Sequence, residues 1–343
     1  MNILSSCAAL CAAIAFCMPS GPALGWGHEG HEVVGSIADQ LLEGHPAKAQ
    51  VARILGFELR VAAPWLDCVR SVVHHTDDDT FEYDPDPHHP EYRVPCTSFE
   101  TPSEKARMED YVKRNWTTCV YKPGHGCHET YHFADVAIQH RRYDRSFAGT
   151  SEHDIVSAIN AAVAKLKNPS APAPAPLSIT DQKEALFLLA HLLGDLHQPL
   201  HVGAVYLNSR GRRLNPPLGR VDPETETAGG NYLFDGHTKL HSEWDEIPHD
   251  LGRSANTETV QAARAVPASP GQLANWPAAW ATDTIEEADK AFAGLTFSKH
   301  GDENWAVRMH DHSAYVAAED KLKREQLAKA GAHLAELLKA IWQ

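Results

Sequence analysis

Two histidine–aspartate pairs recur at one spacing in this chain. His191 and Asp195 lie within Ala190-His-Leu-Leu-Gly-Asp-Leu-His-Gln-Pro-Leu-His201, and His241 and Asp245 lie within His-Ser-Glu-Trp-Asp. On a helix, residues i and i+4 leave the same face, so each pair sets an imidazole beside a carboxylate. The first pair sits in an apolar run. A helix that turns such groups inward needs something to compensate them, and a divalent cation does so. Mixed nitrogen and oxygen donors suit zinc better than magnesium or calcium, which prefer oxygen alone. With His31, Asp67, His132 and His201 added, the candidates are too many for one tetrahedral ion and enough for two or three.

These side chains are scattered, so several elements must gather them. Val33, Val34, Ile37, Leu41 and Leu42 give an apolar helical face following His31. Residues 154–166 read as a second helix. A third starts near Asp181, with Glu184 placed as in a capping box, and stops before Pro199. Residues 315–341 form a long closing helix, with Leu327, Leu334, Leu338 and Ile341 on its apolar side. Asn168–Pro176 is a stiff, exposed Pro/Ala connector. Residues 76–130 differ from the rest: they are rich in Asp, Pro, His and Tyr, and read as an insertion stapled to the main body. The expected fold is mainly α, a single helical domain over residues 26–343.

Residues 1–25 carry no charged side chain and end in Ala23-Leu24-Gly25, the pattern of a secretory signal. Cys17 as a lipid anchor is disfavoured by the bulky Phe16 before it. Cleavage after Gly25 leaves Cys68, Cys96, Cys119 and Cys127, an even number that favours two disulfides in an oxidising compartment. Three pairings are open. A metal site of Cys119, Cys127 and His128 is the alternative, although no C-x-x-C pair supports it. No later segment is apolar for long enough to span a bilayer, so a secreted or periplasmic product is expected. The net charge of −14 argues against a protein that holds nucleic acid through broad positive charge. It leaves room for a phosphodiester hydrolase, in which bound cations supply positive charge locally. A monomer without a stable protein partner is expected.

Several motifs occur together and in order: Trp26-Gly-x-x-Gly-His31, Trp65-Leu-Asp67-x-x-Arg70, Tyr-His132-Phe-Ala-Asp135, His191-x-x-Gly-Asp195-x-His-Gln-Pro-Leu-His201, Gly229-Gly-Asn231 and Leu-His241-Ser-x-Trp-Asp245. In these the chain resembles the zinc-dependent single-strand-specific nucleases of fungi and plants, the type I nucleases. The resemblance implies a helical fold of the phospholipase C/nuclease kind with three zinc ions in a cleft. It assigns Asp67, His132, His191 and Asp195 to one ion, and His201, His241 and Asp245 to a second. A third would take His31, a bridging Asp195, and the amine and carbonyl of Trp26, available only once the signal is removed. Arg70 would clamp the phosphate. Phe133 would stack on a base, Asp135 would hydrogen-bond it, and Asn231 would line the cleft.

The implied activity is that of a secreted endonuclease and 3′-nucleotidase. It would hydrolyse RNA, single-stranded DNA and 3′-nucleotides to 5′-mononucleotides by metal-activated water, with Asp67, Arg70 and Asp195 at the catalytic centre. A zinc phospholipase C-like phosphodiesterase and an inactive metal-binding interaction protein are the alternatives. The chain departs from the family in its long segment between Arg70 and His132. It also has His153 where a cysteine is common. His74, His75, Asp77, Asp78 and Asp79 read as a solvated loop, and His310 and His312 as surface residues. Asn115-Trp-Thr117 is a glycosylation sequon.

Overall fold

In the computed structural model, residues 26–85, 93–301 and 304–343 are described. The expected signal, residues 1–25, lies outside them. The first helix, His28–Leu41, buries Val33, Val34 and Ile37 and begins three residues before His31. It crosses the short helix Leu59–Ala62 at Gly35, where a Cβ would lie 2.6 Å from the Leu59 carbonyl oxygen. Asp39 fixes that crossing by accepting from the Leu59 and Arg60 amides at 3.1 and 3.0 Å. The next turn, Trp65–Cys68, carries Asp67 and is thereby held against the first helix.

Gln182–His197 is the central helix, and every residue from Glu184 to His197 is buried. A helix apolar on nearly all sides must be surrounded, and this one packs against Ile155–Lys167, the first helix, Trp276–Ala291 and the closing helix. Asp181 caps its start, accepting from the Glu184 amide at 2.8 Å. The Glu184 carboxylate does not return the bond to Asp181. It accepts from the Thr180 amide at 2.7 Å and pairs with Arg114 at 2.6 Å. The closing helix, His312–Ile341, starts three residues earlier than the apolar pattern suggests, because Asp311 supplies the N-cap. Leu327, Leu334 and Leu338 are buried, and Ile341 is half-buried.

The long segment after Arg70 has a structure of its own. Strands Val72–His75 and Thr80–Tyr83 form an antiparallel hairpin, so the distinct region begins ahead of residue 76. The Tyr83 amide donates to Glu109 on the helix Pro102–Arg114 at 3.0 Å. Disulfides join Cys68 to Cys96 and Cys119 to Cys127. The second takes both sulfurs that the alternative metal site required. Asn115 is fully buried and hydrogen-bonded to Tyr111, Tyr131 and Ser178. The sequon is therefore a structural asparagine, closed to a glycan in the folded chain.

Strands were not expected from the sequence. A four-stranded sheet orders Thr238–Lys239, Leu233–Asp235, Asn304–Met309 and Leu295–His300, with Leu233 parallel to Trp305. Its edge strand leads into the short helix Leu240–Asp245, which carries the second histidine–aspartate pair. The fold as a whole is mainly helical.

Candidate metal centre

Buried among leucines, His191 and Asp195 have no access to water. His191 Nδ1 lies 2.9 Å from the Ala63 carbonyl oxygen. A carbonyl only accepts, so Nδ1 carries a proton and Nε2 keeps the lone pair of the neutral ring, the nitrogen that could ligate a metal. Nε2 faces Asp195 Oδ2 at 3.1 Å, His132 Nδ1 at 3.2 Å and Asp67 Oδ1 at 3.8 Å. From the first helix His31 Nε2 reaches Asp195 Oδ1 at 3.3 Å, and its ring stacks on His191 with centroids 3.7 Å apart. Both Asp67 oxygens and both His31 nitrogens are buried without a hydrogen bond. Orphaned donors and acceptors are costly away from water, and a cation among them would satisfy the Asp67 carboxylate and the one His31 nitrogen that carries a lone pair. Gly194 permits the approach: a Cβ there would sit 2.7 Å from His31 Nδ1.

Past the central helix, Gln198 is extended and Pro199 starts a new turn, Pro199–Val202. The change of direction turns His201 towards His241. His201 Nδ1 lies 2.7 Å from the His132 carbonyl oxygen, and His241 Nδ1 lies 2.6 Å from that of Gly229. Both rings are thus protonated at Nδ1, and their Nε2 atoms stand 3.0 Å apart. Two neutral imidazoles so arranged oppose lone pair to lone pair, which only a shared proton or a cation relieves. Asp245 Oδ1 lies 3.7 Å from His241 Nε2 and accepts from Gln198 Nε2 at 2.7 Å. Burial pushes the Asp245 carboxyl well above the usual range. Asp195 goes the other way: burial opposes its charge, but positive charge placed at His191 and His201 holds it well below that range.

Among the described residues, three histidine–aspartate groups therefore have ligand atoms within 4.8 Å of one another: His31, Asp67 and His191; His132, His191 and Asp195; and His201, His241 and Asp245; a fourth group, Cys119, Cys127 and His153, has both its sulfurs in a disulfide. The first two share His191 and merge into one cluster. Trp26 is fully buried beside them, and the Gly27 amide donates to the Asp245 carbonyl at 2.8 Å, tying the start of the described chain to the second cluster. His28 was not anticipated. Its Nδ1 lies 3.4 Å from Asp67 Oδ2, and its spacing of three from His31 on one helix was the available signal.

A cavity of about 380 Å³ opens over the clusters. Arg70, Phe133, Asp135 and Asn231 line it together with His132, His201 and His241. Burial, then the neighbouring Glu226, raises the Asp135 carboxyl to about 8. Among the lining residues that no motif announced are Tyr121 and Lys122, from the loop closed by Cys119–Cys127, and Lys239. Arg70, Lys122 and Lys239 bring cationic side chains to the cavity of an otherwise acidic protein. Glu129, Asp135 and Glu226 line the same cavity, so both signs of charge meet there.

The remaining candidates lie elsewhere. His128 packs near Tyr111 and Trp116, and burial lowers it to about 3. His153 bonds the Thr118 carbonyl at 2.9 Å. His74 pairs with Asp79 in the hairpin, whose turn is exposed, and His310 and His312 are exposed. No helix among the described residues is long and apolar enough to cross a membrane.

Comparison with known proteins adds one match and one blank. Residues 26–343 match the family model described as S1/P1 nuclease. None of the curated proteins matches the chain.

Proposed function

The chain belongs to the S1/P1 nuclease family and is a hydrolase of nucleic-acid ester bonds, and from that premise we propose a secreted, zinc-dependent endonuclease and 3′-nucleotidase. Its substrates are RNA, single-stranded DNA and nucleoside 3′-phosphates, and its products are 5′-mononucleotides and, from 3′-nucleotides, nucleoside and phosphate. The observation that carries this reading is the pair of Nδ1-anchored rings, His201 and His241, facing each other at 3.0 Å beneath a cavity lined by Phe133, Asp135 and Arg70.

Asp67, His132, His191 and Asp195 would hold one zinc ion, and His201, His241 and Asp245 a second. His31 and Asp195 would hold a third with the amine and carbonyl of Trp26, once a signal ending at Gly25 is removed. Zinc bound there supplies Lewis acidity, which activates the attacking water and neutralises charge on the departing oxygen. The protein's own side chains do the rest. Arg70 holds the phosphate and opposes the charge that grows on it in the transition state. The Phe133 ring offers a stacking face to a base, and a base already paired in a duplex cannot reach it. Asp135 and Asn231 fix the edge of that base. Water adds to phosphorus, the P–O3′ bond breaks, and the phosphate stays on the 5′ carbon.

The test is direct. Purified protein beginning at Trp26 is incubated with single-stranded DNA, RNA, a nucleoside 3′-phosphate and phosphatidylcholine. Cleavage of the first three, with 5′-phosphate ends from the polymers, is the expected result. Turnover of lipid alone refutes it in favour of a phospholipase, and no turnover of any substrate by zinc-loaded protein refutes catalysis.

A further inference from the structure

Beside the first cavity lies a second, of about 300 Å³, walled by the β-hairpin on one side and the disulfide-closed loop on the other. Arg70 and Glu129 line both cavities. We infer that the second cavity receives the nucleoside on the far side of the scissile phosphate, making this chain's long segment after Arg70 part of its single-strand binding cleft. The inference rests on the nuclease reading above.

Connectivity is the first support. A phosphate held by Arg70 carries one nucleoside on each side in a polynucleotide. If one base occupies the Phe133 and Asp135 cavity, the next nucleoside leaves Arg70 towards the second cavity that this residue also lines.

The walls are the second support. His74, Trp116, His125 and His128 present rings there, and successive bases on a single strand bind by stacking on such rings. They are held in place before any ligand arrives. His74 stacks on Phe81 with centroids 4.4 Å apart and meets Trp116 edge-on at 4.8 Å. Gly126 presses on the same corner, since a Cβ there would lie 2.4 Å from Trp116 Cε3 and 2.5 Å from His128 Nδ1.

The third support is unsatisfied chemistry at the cavity. His128 is 3% exposed, lines it, and leaves Nδ1 without a hydrogen bond. Val73, also lining it, exposes 42% of its surface, one of few large apolar side chains so exposed among the described residues. Exposed apolar surface next to rings and an arginine suits a nucleoside better than it suits water.

Two substrates isolate the second cavity. Thymidine 3′-phosphate and the dinucleoside monophosphate of thymidine share one base and the same P–O3′ bond, and only the dinucleoside extends past the phosphate. Val73→Asp and Trp116→Ala should raise KM for the dinucleoside roughly tenfold, the scale of one lost base contact. The same variants should leave KM for thymidine 3′-phosphate within about twofold of wild type. Equal effects on both substrates, or none on either, overturn the inference. If Trp116→Ala does not fold, the exposed Val73→Asp decides alone. A wild-type protein that turns over neither substrate refutes the nuclease reading itself, and this inference falls with it.

Discussion

Gly194 sits inside the central helix, between the two residues of the first histidine–aspartate pair. In an ordinary helix interior, replacing glycine by alanine stabilises by about 0.5–1 kcal/mol, because glycine loses more backbone freedom on folding. The structure predicts the opposite sign here. A Cβ at 194 would lie 2.7 Å from His31 Nδ1 and 3.1 Å from Cε1. His31 is fully buried and stacked on His191, so its ring cannot step aside without disturbing a second ligand. Overpacking of this kind costs about 1–3 kcal/mol. The propensity gain offsets part of that, leaving Gly194→Ala about 1 kcal/mol less stable than wild type.

The measurement is urea unfolding of chelator-treated protein, followed by zinc titration of the folded variant. Displacing a ligand ring should weaken zinc binding by about 10–100-fold, the scale seen when ligand orientation is lost. Gly331→Ala is the control. Its Cβ would meet Ile37 at 2.4 Å, an apolar clash in the closing helix. That variant should lose stability and keep its zinc affinity. A Gly194→Ala protein as stable as wild type, or more so, refutes the packing argument. Reduced stability with unchanged zinc affinity refutes the role of the glycine in presenting His31.

Asp135 makes stability depend on pH. Its folded value of about 8 is far above an ordinary carboxyl, so the unfolded chain gives up this proton first as pH rises. Its contribution to stability therefore falls between about pH 4 and 8, and Asp135→Asn should gain on wild type across that window. Parallel unfolding curves for the two proteins at pH 5 and 8 would count against it. Asn115→Ala should cost about 2–4 kcal/mol by stranding its buried partners near Ser178 and Tyr131. Mass spectrometry of protein secreted from a glycosylating host should find no glycan at Asn115, and a folded, occupied site would contradict its burial. Leaving one extra residue ahead of Trp26 should lower bound zinc by one ion, read by elemental analysis, whereas unchanged content refutes an amino-terminal ligand.

What was legible in the sequence was chemistry written at short range. His191 and Asp195, or His241 and Asp245, announce themselves because four residues make one helical turn and a little more. Asp181 and Pro199 mark the ends of the central helix by the same local logic, and both stand where expected. The strands beside the second pair were missed for the complementary reason. Leu233–Asp235 and Thr238–Lys239 are too short to show an alternating pattern, and Asn304–Met309, which pairs with the first of them and joins both to the sheet, comes from about seventy residues further along.

The same division runs through the site. Histidine and aspartate can be listed from the sequence, but which nitrogen each ring offers cannot. That choice is made by carbonyls remote in sequence: Ala63 for His191, His132 for His201, and Gly229 for His241. Gly229 shows how closely the two levels are joined. Its positive φ and its approach to the Leu200 carbonyl, where a Cβ would lie at 2.3 Å, require glycine. That backbone in turn offers the oxygen that orients His241. The Gly-Gly-Asn motif is thus explained by a ring it never touches in sequence. Lys122 had no such local mark. It reaches the cavity because a disulfide closes its loop and its ammonium meets the Tyr232 hydroxyl at 3.1 Å. A residue of that kind becomes visible only when distant segments share one wall. Part of the cavity wall is therefore built by the segment whose own spacing says least about where it folds.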